Sequence, residues 1–253
     1  MSMEKIIRNY QEALDVRNEL APKQTDGWHF LYRGHASMRF ELLSMIGRKQ
    51  PINGDCINSE RGCLNDFKAL VAEENWQQFK VKSYNDDMFY MSIGRHLGLD
   101  CRLLDWTAKL ETALYFAASD NKCMEEDGCL WVMCYPNSID DSGAKIDPFN
   151  VNEIKLVKEN FWLENDLPIS ILPLGIARRF SQNGFFTITP TYQLPMPLNE
   201  LSFGDVIFIS YRITPNAKAE ILDYLHGYDF FLQLSTPSRL RDVIRAINAS
   251  YFI

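Results

Sequence analysis

The feature that most constrains the fold of this chain is an unbroken apolar run from Cys129 to Tyr135. The run has the length of a strand and contains no charged or turn-forming residue, which is typical of a strand buried on both faces. Such a strand needs further strands beside it and other layers above and below it. The sequence therefore predicts a layered domain built on a sheet, with this strand near its centre.

A helix whose residues suit packing against that sheet precedes the strand. Small and apolar residues recur at helical spacing from Leu110 to Ser119, so one face of this helix can lie close to a sheet. Thr107 precedes it and is predicted to cap it.

The other elements complete an α+β pattern. Helical spacing predicts helices over residues 4–20, 59–79 and 86–97, and two more that begin at Thr214-Pro215 and Thr236-Pro237. Apolar runs predict strands at residues 28–32, 169–174, 184–189 and 206–211. The predicted fold is a single α+β domain with a mixed, mainly antiparallel core sheet flanked by helices. Residues 1–27 form an N-terminal helix that Pro22 ends, and residues 28–253 form the domain, including the C-terminal helices.

Charge and composition exclude several classes of protein. The formal net charge of -7 argues against non-specific binding to duplex nucleic acid, which needs clustered Lys and Arg. The N-terminus has no uninterrupted apolar segment, so we expect neither a signal peptide nor a membrane span, and a cytoplasmic location. The six cysteines form no Cys-x-x-Cys pair and have no neighbouring histidine, so no metal is expected.

Polar residues with binding or catalytic potential crowd the segment before the predicted helix. They are His96, Arg102, Asp105, Trp106 and Thr107, and they lie between apolar residues where backbone N–H groups at a helix start are free. An arginine, Arg33, also ends the predicted strand 28–32. We expect a cleft where Tyr32-Arg33-Gly34 meets a turn at residues 104–107.

Three blocks of this chain resemble the FRG domain family, which is named for an aromatic-Arg-Gly motif. They are Tyr32-Arg33-Gly34, then His96-Leu97-Gly98-Leu99 with Arg102 to Thr107 and Ala113 to Ala117, and finally Arg178 with Gln182-Asn183-Gly184-Phe185-Phe186. Arg95 and Asp100-Cys101 depart from the family pattern and are left out of the predicted site. The resemblance implies a bacterial protein with a role in defence against phage.

More distantly, the blocks resemble the ADP-ribosyltransferases, with Arg33-Gly34, Asp105-Trp106-Thr107 and Gln182 in the three motif places. This resemblance implies an ADP-ribosyltransferase-like fold and NAD as the cofactor. It also implies transfer of ADP-ribose to a protein or nucleic-acid acceptor, or cleavage of NAD.

The residues predicted to act on NAD have chemically suitable side chains. Arginines can hold the diphosphate, the Gly34 backbone can meet the carboxamide, and Trp106 can stack on the nicotinamide. Carboxylate, amide and hydroxyl groups can bind the ribose, and His96 can act as acid or base. The predicted catalytic residues are Arg33, His96, Asp105, Thr107 and Gln182, and the predicted cofactor-binding residues are Tyr32, Arg33, Gly34, Arg102 and Trp106.

Other interpretations of these residues stay open. Arg102 and Asp105 can form a buried ion pair that braces the fold, with Trp106 in the core. The cavity can belong to a non-catalytic module that senses a nucleotide or nucleic acid. A metal-dependent nuclease or phosphodiesterase using Glu60, His96 and Asp105 is a third class.

Overall fold

The computed structural model describes residues 4–73, 87–136, 184–188, 195–201, 206–228 and 238–253. The strands are β1 (Lys5–Ile7), β2 (Trp28–His35), β3 (Leu103–Thr107), β4 (Gly128–Pro136), β5 (Gly184–Ile188) and β6 (Ile207–Ile213). The helices are α1 (Tyr10–Thr25), α2 (Cys56–Glu73), α3 (Asp87–Leu97), α4 (Leu110–Ala118), α5 (Pro215–Tyr224) and α6 (Ser238–Tyr251).

One six-stranded sheet organises the fold, in the order β1-β6-β4-β2-β3-β5. The β1 strand runs parallel to β6, and every other neighbouring pair is antiparallel. This arrangement confirms the predicted fold class, a single α+β domain with a mixed, mainly antiparallel sheet. The β4 strand lies between β6 and β2, so the apolar run is central, as predicted.

The sheet is weakly joined between β2 and β3. The β2 strand pairs with β4 from Trp28 to His35, and β3 pairs with β5 along its whole length. The β2 and β3 strands meet in one residue pair, Tyr32 with Thr107, at the last residue of β3. Beyond this pair the end of β2 and the body of β3 share no backbone ladder, which leaves room for a cleft between them.

Three apolar clusters hold the helices on the sheet. Helices α1, α4 and α5 cover one face and bury Leu130 and Val132 of β4, whereas the opposite face buries Met133 with Leu31 and Trp106. Helices α2, α3 and α6 form a cluster with residues of β3 and β5. The central strand is therefore buried on both faces, as its composition requires.

The α4 helix touches the backbone of β2 at Gly34. A Cβ atom at this position would lie 1.9 Å from the carbonyl oxygen of Ala113 and 2.6 Å from the nitrogen of Ala117. Only a glycine permits this approach, and the two alanines supply the small side chains that it needs. Gly34 thus has a packing role besides any contact with a ligand.

The predicted N-terminal helix was wrong at both ends. Lys5–Ile7 is a strand, because these residues pair with Tyr211 to Ile213 of β6. The helix begins at Tyr10, after Asn9 caps it by accepting a hydrogen bond from the nitrogen of Glu12 at 2.8 Å. It continues past Pro22 to Thr25, because a proline near a helix end removes only one backbone hydrogen bond.

Two further predictions at residues 104–107 were wrong. These residues belong to the strand β3 and not to a turn, because they pair with β5. The N-cap of α4 is Lys109, and the Thr107 hydroxyl accepts a hydrogen bond from the backbone nitrogen of Lys109 at 3.1 Å.

The prediction that Thr214 caps α5 is confirmed. The predicted strand at residues 169–174 lies outside the described residues.

The residues before β2 belong to the same core as the C-terminal ones, because β1 pairs with β6 and α1 packs against α5. In the described part of the chain, no helix combines the length and apolar character needed to cross a membrane.

We predict that Gly34→Ala strongly destabilises the protein, because the new methyl group would overlap the α4 backbone. The expected loss is about 3 kcal/mol, which lowers Tm by about 6–12 °C. Gly184→Ala is the matched control, because a Cβ there would lie 3.8 Å from the nearest atom, a backbone oxygen. Thermal denaturation followed by circular dichroism measures both; equal Tm values for the two variants would contradict the close contact.

Candidate functional site

A cavity of about 620 Å³ opens where β2 and β3 part. We call it the β2–β3 cavity. Its walls come from the end of β2, the last turn of α3, β3 and one side of α4. Seven of the predicted site residues line it: Tyr32, Arg33, Gly34, His96, Asp105, Trp106 and Thr107. The structure thus brings the first two sequence blocks to one place.

The Asp105 carboxylate is held between two arginines. The Nε and Nη2 groups of Arg95 donate to Asp105 Oδ2 at 2.9 and 2.6 Å, and Arg33 Nη1 lies 3.8 Å from the same oxygen. Burial would raise the pKa of Asp105, but the charges of Arg95 and Arg33 lower it to about 2. Asp105 is therefore ionised at neutral pH.

Arg33 bridges the gap between the strands. Its Nη1 group donates to the backbone oxygen of Asp105 at 2.5 Å, where a backbone N–H of β2 would donate in a closed ladder. Burial lowers the pKa of Arg33 to about 10, so its guanidinium still carries a charge at neutral pH. The Arg33 side chain therefore joins β2 to β3 and also places a positive charge in the cavity.

His35 fixes the orientation of Arg33. The Nε group of Arg33 donates to His35 Nε2 at 2.9 Å, so the histidine proton is on Nδ1, which lies 3.0 Å from the backbone oxygen of Phe40. Burial and the charge of Arg33 lower the pKa of His35 to about 3. His35 is therefore neutral and acts as a hydrogen-bond acceptor behind the arginine.

Positive charge dominates this end of the cavity. Arg48 also lines it, with an exposed side chain. Three guanidinium groups, those of Arg33, Arg48 and Arg95, thus line this end of the cavity. Arg33 and Arg95 share the Asp105 carboxylate, whereas Arg48 Nη2 donates to the backbone oxygen of Glu41 at 3.2 Å. Guanidinium groups bind phosphate and carboxylate oxygens through paired N–H donors, so this end is suited to an anion.

The other side of the cavity is made by α4 and the residues that follow it. Thr112, Phe116, Ser119 and Asp120 form this side, which we call the α4 wall. Phe116 and Phe40, across the opening, are 37% and 40% exposed, so both rings present apolar surface at the rim. Exposed aromatic rings beside a charged pocket suit a ligand that combines a planar group with an anion.

One predicted site residue, Arg102, does not line the cavity. Arg102 is buried away from it, where its Nε and backbone N–H groups donate to the two carboxylate oxygens of Glu60 at 2.6 and 2.8 Å. The ion pair considered between Arg102 and Asp105 is wrong, because Asp105 pairs with Arg95 and Arg33. Gln182 lies outside the described residues, so its role stays a prediction.

Trp106 lines the cavity, but most of its side chain is buried in the core. It is 3% exposed, and its Nε1 group donates to the Thr187 hydroxyl on β5 at 2.9 Å. This contact anchors the β3–β5 part of the sheet beside the cavity. Stacking of Trp106 on a ligand stays a prediction.

The sequence analysis missed six charged or polar residues of the cavity: His35, Arg48, Arg95, Thr112, Ser119 and Asp120. Arg95 was excluded because it departs from the family pattern, yet it makes the closest ion pair to Asp105. His35 had a usable signal, since residues two apart on a strand share a face and His35 follows Arg33 by two. Arg48 lies in a loop region where no periodic pattern indicates which way a side chain points.

We predict that Arg102→Met destabilises the protein by about 3–5 kcal/mol, because it leaves the buried Glu60 carboxylate without its positively charged partner. Arg245→Met is the control, since Arg245 and Asp242 form an exposed pair on α6. Urea denaturation measures both free energies of unfolding. A loss for Arg102→Met as small as that of the control would show that the pair does not hold the fold.

The comparisons with known proteins agree with the sequence blocks. Residues 28–126 match the family model of the FRG domain. No curated protein and no solved structure matches the chain. The matched range includes β2, β3 and α4 and every residue of the β2–β3 cavity named above. This protein therefore carries an FRG domain over residues 28–126.

Proposed function

We propose that the β2–β3 cavity binds a nucleotide through its diphosphate, and that the protein cleaves NAD at the bond between nicotinamide and ribose. The observation that carries the proposal is a cavity of about 620 Å³ lined by three guanidinium groups and by the ionised carboxylate of Asp105. A cavity of this size is in the range of ligand sites for small molecules.

The arginines support the binding part of the proposal. Arg95 and Arg33 share the single carboxylate of Asp105, so this pair alone carries more positive charge than Asp105 neutralises, and the exposed side chain of Arg48 lines the same end of the cavity. The whole chain is negative, so this local excess selects an anion at one place and does not attract polyanions generally. A diphosphate, with several acceptor oxygens, matches such an arrangement.

Asp105 supports the catalytic part. When the C–N bond of NAD breaks, its electron pair goes to the ring nitrogen and nicotinamide leaves as a neutral molecule. Positive charge then develops on the ribose, and an ionised carboxylate beside it is stabilising. Water or an acceptor nucleophile forms the new bond to the ribose and gives up a proton, and we assign the receipt of this proton to His96, which lines the cavity.

A second candidate is a non-catalytic module that binds a nucleotide and reports to a partner. The observation that favours it is the pairing of Asp105 with two N–H donors of Arg95, which partly satisfies the carboxylate before any ligand arrives. In that case the cavity binds the nucleotide and leaves it intact.

The structure offers less support to the nuclease candidate. Within the described residues, no group of three or more His, Cys, Asp or Glu could hold a metal ion. Glu60, one of its three residues, accepts hydrogen bonds from Arg102 with both carboxylate oxygens. A cytoplasmic location stays a prediction from the N-terminal sequence, and a role in defence against phage stays a prediction from the family resemblance.

Incubation with labelled NAD tests the proposal directly. We expect release of free nicotinamide, with the label either in solution as ADP-ribose or attached to an acceptor from a cell extract. Isothermal titration with NAD, ADP-ribose and inorganic diphosphate measures binding in parallel. Binding without nicotinamide release would favour the non-catalytic module, and the absence of both would contradict the nucleotide site.

Two variants separate binding from catalysis. Arg48→Gln, at an exposed position, is expected to weaken diphosphate binding about 10- to 100-fold, the size of a lost charge-assisted hydrogen bond. Asp105→Asn is expected to bind diphosphate at least as tightly as the wild type, because a negative charge is removed. It is expected to release nicotinamide at least about 100-fold more slowly than the wild type.

Arg245→Gln is the control for the loss of one positive charge far from the cavity, because its side chain is 78% exposed on α6. It should bind and react like the wild type. Equal effects of Arg48→Gln and Arg245→Gln would show that the β2–β3 cavity is not the anion site.

A further inference from the structure

The Thr112 hydroxyl is a buried polar group on the α4 wall. Thr112 is 1% exposed and lines the β2–β3 cavity, and its Oγ1 atom has no hydrogen-bond partner among the residues that the structure describes. A threonine hydroxyl within a helix commonly bonds to a carbonyl of the preceding turn, but this one does not. Burying a hydroxyl without a partner costs free energy, so such a group calls for a functional explanation.

The neighbours of Thr112 indicate which part of a ligand this wall receives. Asp120 and Ser119 line the same wall, and the carboxylate of Asp120 disfavours a phosphate there. The phosphate-binding arginines belong to β2, α3 and the loop before α2, not to α4. Hydroxyl and carboxylate groups are suited to sugar hydroxyls, which both donate and accept hydrogen bonds.

We propose that the α4 wall is the sugar subsite of the cavity, and that the Thr112 hydroxyl forms a hydrogen bond with a ribose hydroxyl of the bound nucleotide. This inference rests on the proposed function, because it places the sugar relative to a diphosphate held by the arginines. It makes Thr112 a ligand contact that supplies a hydrogen bond only when the site is filled.

Thr112→Val and Thr112→Ser test the subsite. Valine keeps the shape of threonine and removes the unpartnered hydroxyl, so Tm should stay equal to that of the wild type or rise. Isothermal titration should give unchanged affinity for inorganic diphosphate and an affinity for ADP-ribose that is about 10-fold weaker. Thr112→Ser retains the hydroxyl and should bind ADP-ribose nearly as tightly as the wild type.

The outcomes separate this inference from the proposed function. If the wild type binds both ligands and Thr112→Val binds ADP-ribose equally well, the sugar subsite is wrong and the anion site stands. A fall in Tm for Thr112→Val, or equal weakening for both ligands, would mean that the hydroxyl supports the fold, which also overturns the subsite. If the wild type binds neither ligand, the proposed function is wrong and the inference falls with it.

Discussion

The single residue pair that joins β2 to β3 is the constraint on which the rest of the site depends. Tyr32 and Thr107 hold the two parts of the sheet together, and beyond them Arg33 reaches across to the backbone of Asp105. The Arg33 side chain joins the two strands where backbone hydrogen bonds are missing. The two parts of the sheet therefore stay together while a cavity forms between them. The close approach of α4 at Gly34 fixes one wall of that cavity relative to β2.

Electrostatics then gives the cavity its character. Arg33 donates a hydrogen bond to the neutral His35 and lies beside the carboxylate of Asp105, so its position and charge are both fixed before a ligand binds. Such preorganisation lowers the cost of ordering side chains on binding. In the proposed function, the arginines bind the diphosphate and Asp105 acts on the ribose, so one cavity serves both binding and cleavage.

The sequence predicted the parts of this structure that depend on local pattern. The run at residues 129–135 indicated the central strand, the small residues of α4 indicated close packing on the sheet, and the blocks that resemble the FRG domain family led to Arg33 and Asp105. Contacts between distant segments could not be predicted in the same way. The pairing of Arg95 with Asp105 depends on how α3 meets β3, and the strand β1 exists only because β6 is there to pair with it.

The most direct test of the central claim is a crystal structure of the protein with ADP-ribose at a saturating concentration. The account predicts the diphosphate within hydrogen-bond distance, about 3 Å, of the guanidinium groups of Arg33, Arg48 and Arg95, in the gap between β2 and β3. Density for the ligand elsewhere on the protein, or a β2–β3 cavity that stays empty at that concentration, would contradict it.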